Sequence, residues 1–169
     1  VAGAVWKAGR VREEANSGLH VASVTPATLD AAVALLVRFF REEGFATPPD
    51  RVRQNAALIA ADQHHWIGLA TLDAAPVGVV TVTTALYVEW GRLGEIGDLY
   101  VAPESRRRGV AQALLDAAER RCAGLGCSSL SVVVTRDGEA RHGLHAFYAR
   151  QGFLGDGRQV LTRPLGKRR

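Results

Sequence analysis

Apolar periodicity and turn residues predict one α/β (α+β) domain built on a mixed, mostly antiparallel central sheet flanked by helices. The expected order is β-α-α-β-β-β-α-β-α-β-β. Two β-rich runs, 65–72 and 76–84, are separated only by Asp73-Ala74-Ala75, which makes them an antiparallel hairpin. Two helix starts, Thr25-Pro26 and Thr47-Pro48-Pro49-Asp50, each precede an apolar stripe of helical spacing. Finally, an apolar strand ending at Val101 passes through Pro103 directly into an Ala/Leu-rich helix. No repeat or low-complexity tract interrupts this order.

Residues 1–18 carry Gly3, Gly9, Arg10, Arg12, Glu13 and Glu14 with no sustained period and are expected to form an extension. The domain itself is expected to span 19–165, with 166–169 a basic tail. Residues 19–24 alternate as a first strand. Leu29, Val33, Leu36, Val37 and Phe40 give the first helix its apolar stripe, and Gly44 ends it. A connection acidic at Glu42 and Glu43 and apolar at Phe45 leads to a second helix, which runs to about Ala61 through Val52, Ala56 and Ile59. The hairpin follows, its second run extending toward Tyr87-Val88-Glu89-Trp90 before Gly91 turns the chain into a strand at 94–101. A helix beginning near Arg107 stops at Gly124 and Gly126, residues 128–134 form a buried strand, and 139–151 form the last long helix. Residues 153–165 are expected to supply a closing pair of strands around Gly155-Asp156-Gly157.

Composition narrows the class. The 169 residues are 47% hydrophobic and 22% charged, as in a soluble globular domain. No window holds the roughly 18 apolar residues of a membrane span, and the opening VAGAVWKAGR has no continuous apolar run of the kind a secretion signal needs. A cytoplasmic location is expected, with no membrane partner. Cys122 and Cys127 lack histidines at ligand spacing and read as small hydrophobes, so neither a metal nor a disulfide is expected. The net charge of +4 is concentrated at Arg106–Arg108 and Lys167–Arg169 with no interleaved aromatic residues, which disfavours nucleic acid as a partner.

The junction at 94–111, GEIGDLYVAPESRRRGVA, carries the chemistry. The first N–H groups of a helix have no partner within it, and the helix dipole adds about half a positive charge there, so an anion is favoured. Gly109 lets a ligand approach the main chain without a Cβ in the way. The spacing Arg-x-x-Gly-x-Ala, after DLYV and before ALLDAAER, resembles the acyl-CoA-binding motif of the GNAT superfamily of N-acetyltransferases. A second match, Tyr148-x-x-x-Gly152-Phe153, resembles that family's late helix-to-strand signature. The resemblance covers roughly residues 19–165 and the element order fits it.

The resemblance implies acetyl-CoA as cosubstrate, direct transfer in a ternary complex, and no metal. It assigns the pyrophosphate to Arg106, Arg107, Arg108, Gly109, Val110, Ala111 and Gln112, chiefly through the N–H groups from Arg107 to Gln112. The pantetheine arm falls to main-chain groups of Leu99, Tyr100 and Val101. Ala111 replaces the more usual second Gly. Arg141 stands where the family often has an Asn, so that CoA contact is not carried over.

An amine attacks only when neutral, so a base must take its proton, and the departing thiolate needs a donor. Glu95 and Asp98, on the strand before the cradle, are the candidate carboxylates. Their odd spacing puts them on opposite faces of an ideal strand unless a β-bulge intervenes. By family position Glu95 is favoured as base, directly or through water, with Asp98 as substrate anchor. Either is otherwise a surface carboxylate or the partner of an Arg. Tyr148 is the expected acid toward the CoA sulfur, because a phenol keeps its proton at neutral pH; the alternative is a packed aromatic. Among the histidines only His145, one turn before Tyr148, merits a test.

Glu42, Glu43, Phe45, Glu89 and Asp98 are the candidate acceptor contacts. An acidic acceptor side in a basic protein suits a small cationic amine, and the resemblance points first to an aminoglycoside antibiotic, hence to a role in resistance. Polyamines, amino acids and protein amines are the alternatives, as is a silent acyl-CoA-binding module. Many members of the family pair as homodimers.

Overall fold

The computed structural model describes residues 18–155, 157 and 159–165. Residues 1–17 of the expected extension and the basic tail at 166–169 lie outside the described residues. The elements are β1 (Leu19–Ser23), α1 (Leu29–Glu43), α2 (Pro49–Ala61), β2 (Trp66–Leu72), β3 (Ala75–Tyr87), β4 (Gly91–Val101), α3 (Val110–Gly124), β5 (Cys127–Val132), α4 (Arg136–His142) and α5 (Leu144–Arg150), with a short 3-10 turn at Pro103–Ser105. One sheet carries the strands in the order β1-β2-β3-β4-β5. The first four are antiparallel in sequence, and β5 runs parallel to β4. This is the mixed, mostly antiparallel architecture expected. The β2–β3 hairpin closes through Asp73 and Ala74, both with positive φ, 50° and 67°, the conformation that matches the twist of paired strands.

Strand alternation sends side chains to two cores. Ile67, Leu69, Val79 and Tyr100 meet α1 and α2 on one face. Val80, Val82 and Ile96 meet Val110, Leu114 and Ala118 of α3 on the other. Val79 and Val80 are both fully buried, so β3 is covered on each side, and its run of buried residues from Val77 to Val82 follows from that. Gly78 lets α3 settle onto the sheet, because a Cβ there would lie 2.9 Å from Val110 Cγ1 and 3.1 Å from the Tyr100 carbonyl oxygen.

Three expectations are corrected. The cradle helix begins at Val110 rather than near Arg107, because Arg107 (φ 61°) and Gly109 (φ 79°) are both left-handed and cannot continue a right-handed helix. The single last helix is two, broken at Gly143 (φ 61°); the first starts three residues early because the Thr135 hydroxyl accepts the Gly138 N–H at 3.1 Å. The closing pair of strands is absent: no described residue after β5 belongs to a strand. In residues 159–165 the apolar Val160 and Leu161 are adjacent rather than alternating, and Pro164 lacks a ladder donor, so no single face is offered to a sheet. No helix among the described residues is long and apolar enough to cross a membrane.

Candidate active site

The site is built from irregularities in β4. Along β3 and β4 the register pairs Thr81 with Asp98 but Val82 with Ile96, so Gly97 is an extra residue in a β-bulge. The bulge resets side-chain parity. Ile96 and Leu99, three apart, both join the α3-side core. Glu95 and Asp98 therefore share the opposite face, with Thr83 and Thr81 as their cross-strand partners and Tyr100 one position further along. The odd spacing that separates the two carboxylates in an ideal strand is what unites them here. Asp98 is fixed twice by Thr81, whose hydroxyl donates to Asp98 Oδ2 at 2.7 Å and accepts from the Asp98 N–H at 2.9 Å. Burial raises the Asp98 pKa, and the Thr81 bond opposes it in part. Glu95 is exposed and has no side-chain bond among the described residues.

The other edge of β4 opens at the same point. β5 pairs with Arg92–Ile96 and then leaves, so Gly97–Val101 have no strand beside them on that side. This unpaired main chain includes Leu99, Tyr100 and Val101 and leads toward the α3 N-terminus. There Ala113 is the first residue whose N–H reaches back to Gly109, at 3.0 Å. The N–H groups of Val110, Ala111 and Gln112 precede that first bond, no side chain caps the helix, and its first turn holds no acidic residue. Gly109 itself is exposed, and an added Cβ there would meet nothing within 4 Å. Arg107 and Arg108 are exposed, with no ion pair among the described residues. An open edge that leads to bare donors and two free guanidinium groups fits an extended ligand ending in a pyrophosphate.

Arg106 is placed differently from its neighbours. Its Nε donates to the Val101 carbonyl at 3.0 Å and its Nη2 to Glu42 Oε2 at 3.2 Å. Glu42 Oε1 accepts from the Tyr100 hydroxyl at 2.6 Å and from Arg38 Nε at 3.2 Å. Arg38 also clamps Glu104 at 2.8 and 2.9 Å, which holds that carboxyl well below its usual range, at about 2. Burial, then the bond to Glu42, pushes the Tyr100 phenol up. Glu42 thus anchors α1 to the end of β4 instead of standing free in a substrate loop. Glu43 accepts from Arg141 Nη1 at 3.3 Å and lies 2.8 Å from His142 Nε2, tying α1 to α4. Arg141 is occupied in this clasp, its Nη1 also donating to the Glu43 carbonyl at 3.1 Å. Phe45 is exposed beside Phe39 and Phe40, and Glu89 is exposed in the β3–β4 turn.

Tyr148 is buried between Phe147 and Phe153, ring centroids 5.0 and 5.3 Å away, and burial raises its pKa. Its hydroxyl has no hydrogen-bond partner among the described residues. His145 is turned to Glu139, with Nδ1 2.8 Å from Oε2. Sequence reading missed Thr81, Arg38 and the Tyr100 side chain; nothing in a Thr or Arg at those positions signals a partner more than fifteen residues away. Among the described residues, no group of three or more His, Cys, Asp or Glu side chains gathers as a metal ion requires.

A strand that parts from its parallel neighbour and delivers its end to a bare helix N-terminus is the arrangement that the resemblance to acyl-CoA-dependent transferases implies. Residues 29–153 match the model of the acetyltransferase (GNAT) family, and the chain belongs to that family. It is an acetyl-CoA-dependent N-acetyltransferase. None of the curated proteins matches the sequence. Among solved structures, the aminoglycoside N-acetyltransferase AAC(6')-Iy in complex with CoA is 18% identical, aligned over 90% of this chain and 98% of its own, with a TM-score of 0.75. An integron cassette protein from the mobile metagenome of Cole Harbour Salt Marsh is 27% identical over 88% and 91%, TM-score 0.73. A ribosomal-protein-alanine N-acetyltransferase from Brucella melitensis biovar Abortus is 20% identical over 86% and 98%, TM-score 0.69.

Proposed function

We propose that this chain moves the acetyl group of acetyl-CoA to a primary amine of a small cationic molecule, with an aminoglycoside as the leading acceptor. The bulge at Gly97 carries the reading, because it sets two carboxylates on one face beside the unpaired edge of β4. The N–H groups of Val110, Ala111 and Gln112, with Arg107 and Arg108, hold the pyrophosphate, and the open main chain of Leu99–Val101 receives the pantetheine arm. Asp98, locked by Thr81, anchors the ammonium form of the acceptor. Glu95, exposed and unconstrained, takes the proton that leaves the amine. The neutral nitrogen then forms its bond to the thioester carbonyl carbon, the C–S bond breaks, the second proton of the nitrogen passes to solvent, and the Tyr148 hydroxyl gives its proton to the sulfur. Solvent returns a proton to Tyr148 and removes one from Glu95, so the cycle closes.

Similarity to an aminoglycoside acetyltransferase supports the acceptor class at the level of fold, and the acidic face supports its charge. The test is free-thiol release from acetyl-CoA with aminoglycosides, polyamines, amino acids and N-terminal or Lys-bearing peptides. Turnover on aminoglycosides that collapses in Glu95→Gln and Tyr148→Phe is the expected result. Turnover confined to peptides moves the acceptor to a protein amine. Acetyl-CoA binding without turnover on any amine leaves a silent binding module.

A further inference from the structure

The β3–β4 ribbon projects beyond the end of β2, whose first residue, Trp66, pairs with Val82. Parity along β3 keeps Thr81, Thr83, Ala85 and Tyr87 on one face, the face of Glu95 and Asp98. At its tip Tyr87 is 47% exposed and stands against Trp90, ring centroids 5.5 Å apart and planes at 49°, with Glu89 exposed between them in sequence. Arg92 occupies the other face, where its Nη1 donates to Thr84 Oγ1 at 2.9 Å, so it does not offset the negative charge on this one. Glu95 pairs with Thr83 and Gly91 with Tyr87; four residues of strand put the aromatic tip about 13 Å from the row of Glu95.

We propose that Tyr87, supported by Trp90 and Glu89, forms a second acceptor subsite, which binds a cationic saturated ring about 13 Å from the acetylated nitrogen. This rests on the amine-acetyltransferase reading and deepens it: the acceptor is a multi-ring amino sugar long enough to reach the tip. A ring face attracts an ammonium and covers the C–H surface of a saturated ring, and Glu89 adds opposite charge. A single-ring amine reaches the carboxylates but not the tip.

The experiment compares a three-ring aminoglycoside with glucosamine on the wild type, Tyr87→Ala and Tyr87→Phe. Thiol release gives kcat and KM, and calorimetry on CoA-loaded protein gives Kd for the same two amines. Tyr87→Ala should raise KM and Kd for the three-ring acceptor about fivefold to thirtyfold. It should leave kcat and the glucosamine values unchanged, and Tyr87→Phe should recover most of the loss. Equal effects on both acceptors, or none on either, overturn the subsite while the acetyltransferase reading stands. If neither amine binds or turns over, both fall.

Discussion

Replacing Gly109 by Ala separates the two demands placed on the N-terminus of α3. Gly109 has φ 79° and Gly126, just beyond the other end of the same helix, has φ 74°; a Cβ at either would meet nothing within 4 Å. Forcing an L side chain into this left-handed region costs about 1–2 kcal/mol, so Gly109→Ala and Gly126→Ala should each melt a few degrees below wild type. At Gly109 a second effect is added. On the proposed reading the pyrophosphate approaches the main chain at Gly109, where a methyl would hinder it, and losing one charge-assisted hydrogen bond costs about 1.5–3 kcal/mol. Acetyl-CoA affinity should therefore fall about tenfold to a hundredfold in Gly109→Ala and stay unchanged in Gly126→Ala. Scanning calorimetry measures the first quantity and titration calorimetry the second. Equal CoA affinities in the two variants would refute the assignment of the pyrophosphate to this helix end.

Glu95→Gln should lower kcat by about a hundredfold to ten-thousandfold in steady-state thiol release, as loss of a general base does; a kcat within twofold of wild type removes Glu95 from that role. Because burial holds Tyr148 above its ordinary value of 10, the alkaline limb of the rate profile that belongs to it should lie above pH 10 and vanish in Tyr148→Phe. Asp98 has its folded pKa raised by burial, so the folded state binds the extra proton and stability falls as pH rises from the unfolded value near 4 through the folded one. Urea midpoints of Asp98→Asn should lack that decline, and a parallel pair of curves would contradict the burial. Gly78→Ala, which drives a methyl to 2.9 Å from Val110 Cγ1, should destabilise by about 1–3 kcal/mol, read from its urea midpoint.

Local signals made most of the fold legible. The Thr-Pro starts, the stop at Gly44 and the two β-rich runs located β1 through β3, α1 and α2 to within a few residues, because period and punctuation act over short distances. Gly143 is equally visible in the sequence, but a glycine within a helical stretch does not by itself mark a break, and the expected helix over 139–151 runs through it. The open N–H groups at the start of α3 were legible because they are a main-chain feature, set by a helix start and a glycine. The acceptor side was not. Glu42 and Glu43 looked like free acidic loop residues, but their roles depend on Arg106 and on Arg141 and His142, on elements that approach only after folding. Arg106 shares its run with Arg107 and Arg108, yet among the described residues it alone of the three forms an ion pair, with Glu42.

Gly97 shows why one strand can serve two substrates. Before it, β4 is an interior strand, paired with β3 and β5; after it, β4 keeps β3 alone and becomes an edge. The same residue is the extra one of the bulge, so the parity that sends Ile96 to the α3 core also sends Glu95 to the face of Asp98. A larger residue fits poorly there, because its Cβ would lie 3.0 Å from Thr81 Oγ1, the hydroxyl that locks Asp98. On the proposed reading the acyl donor lies along the open edge and the amine arrives over the carboxylate face, two directions that meet only at the bulge. An unbulged β4 would separate the carboxylates, and a β5 paired along its whole length would close the edge. The reaction geometry thus depends on two interruptions of the sheet placed at a single residue.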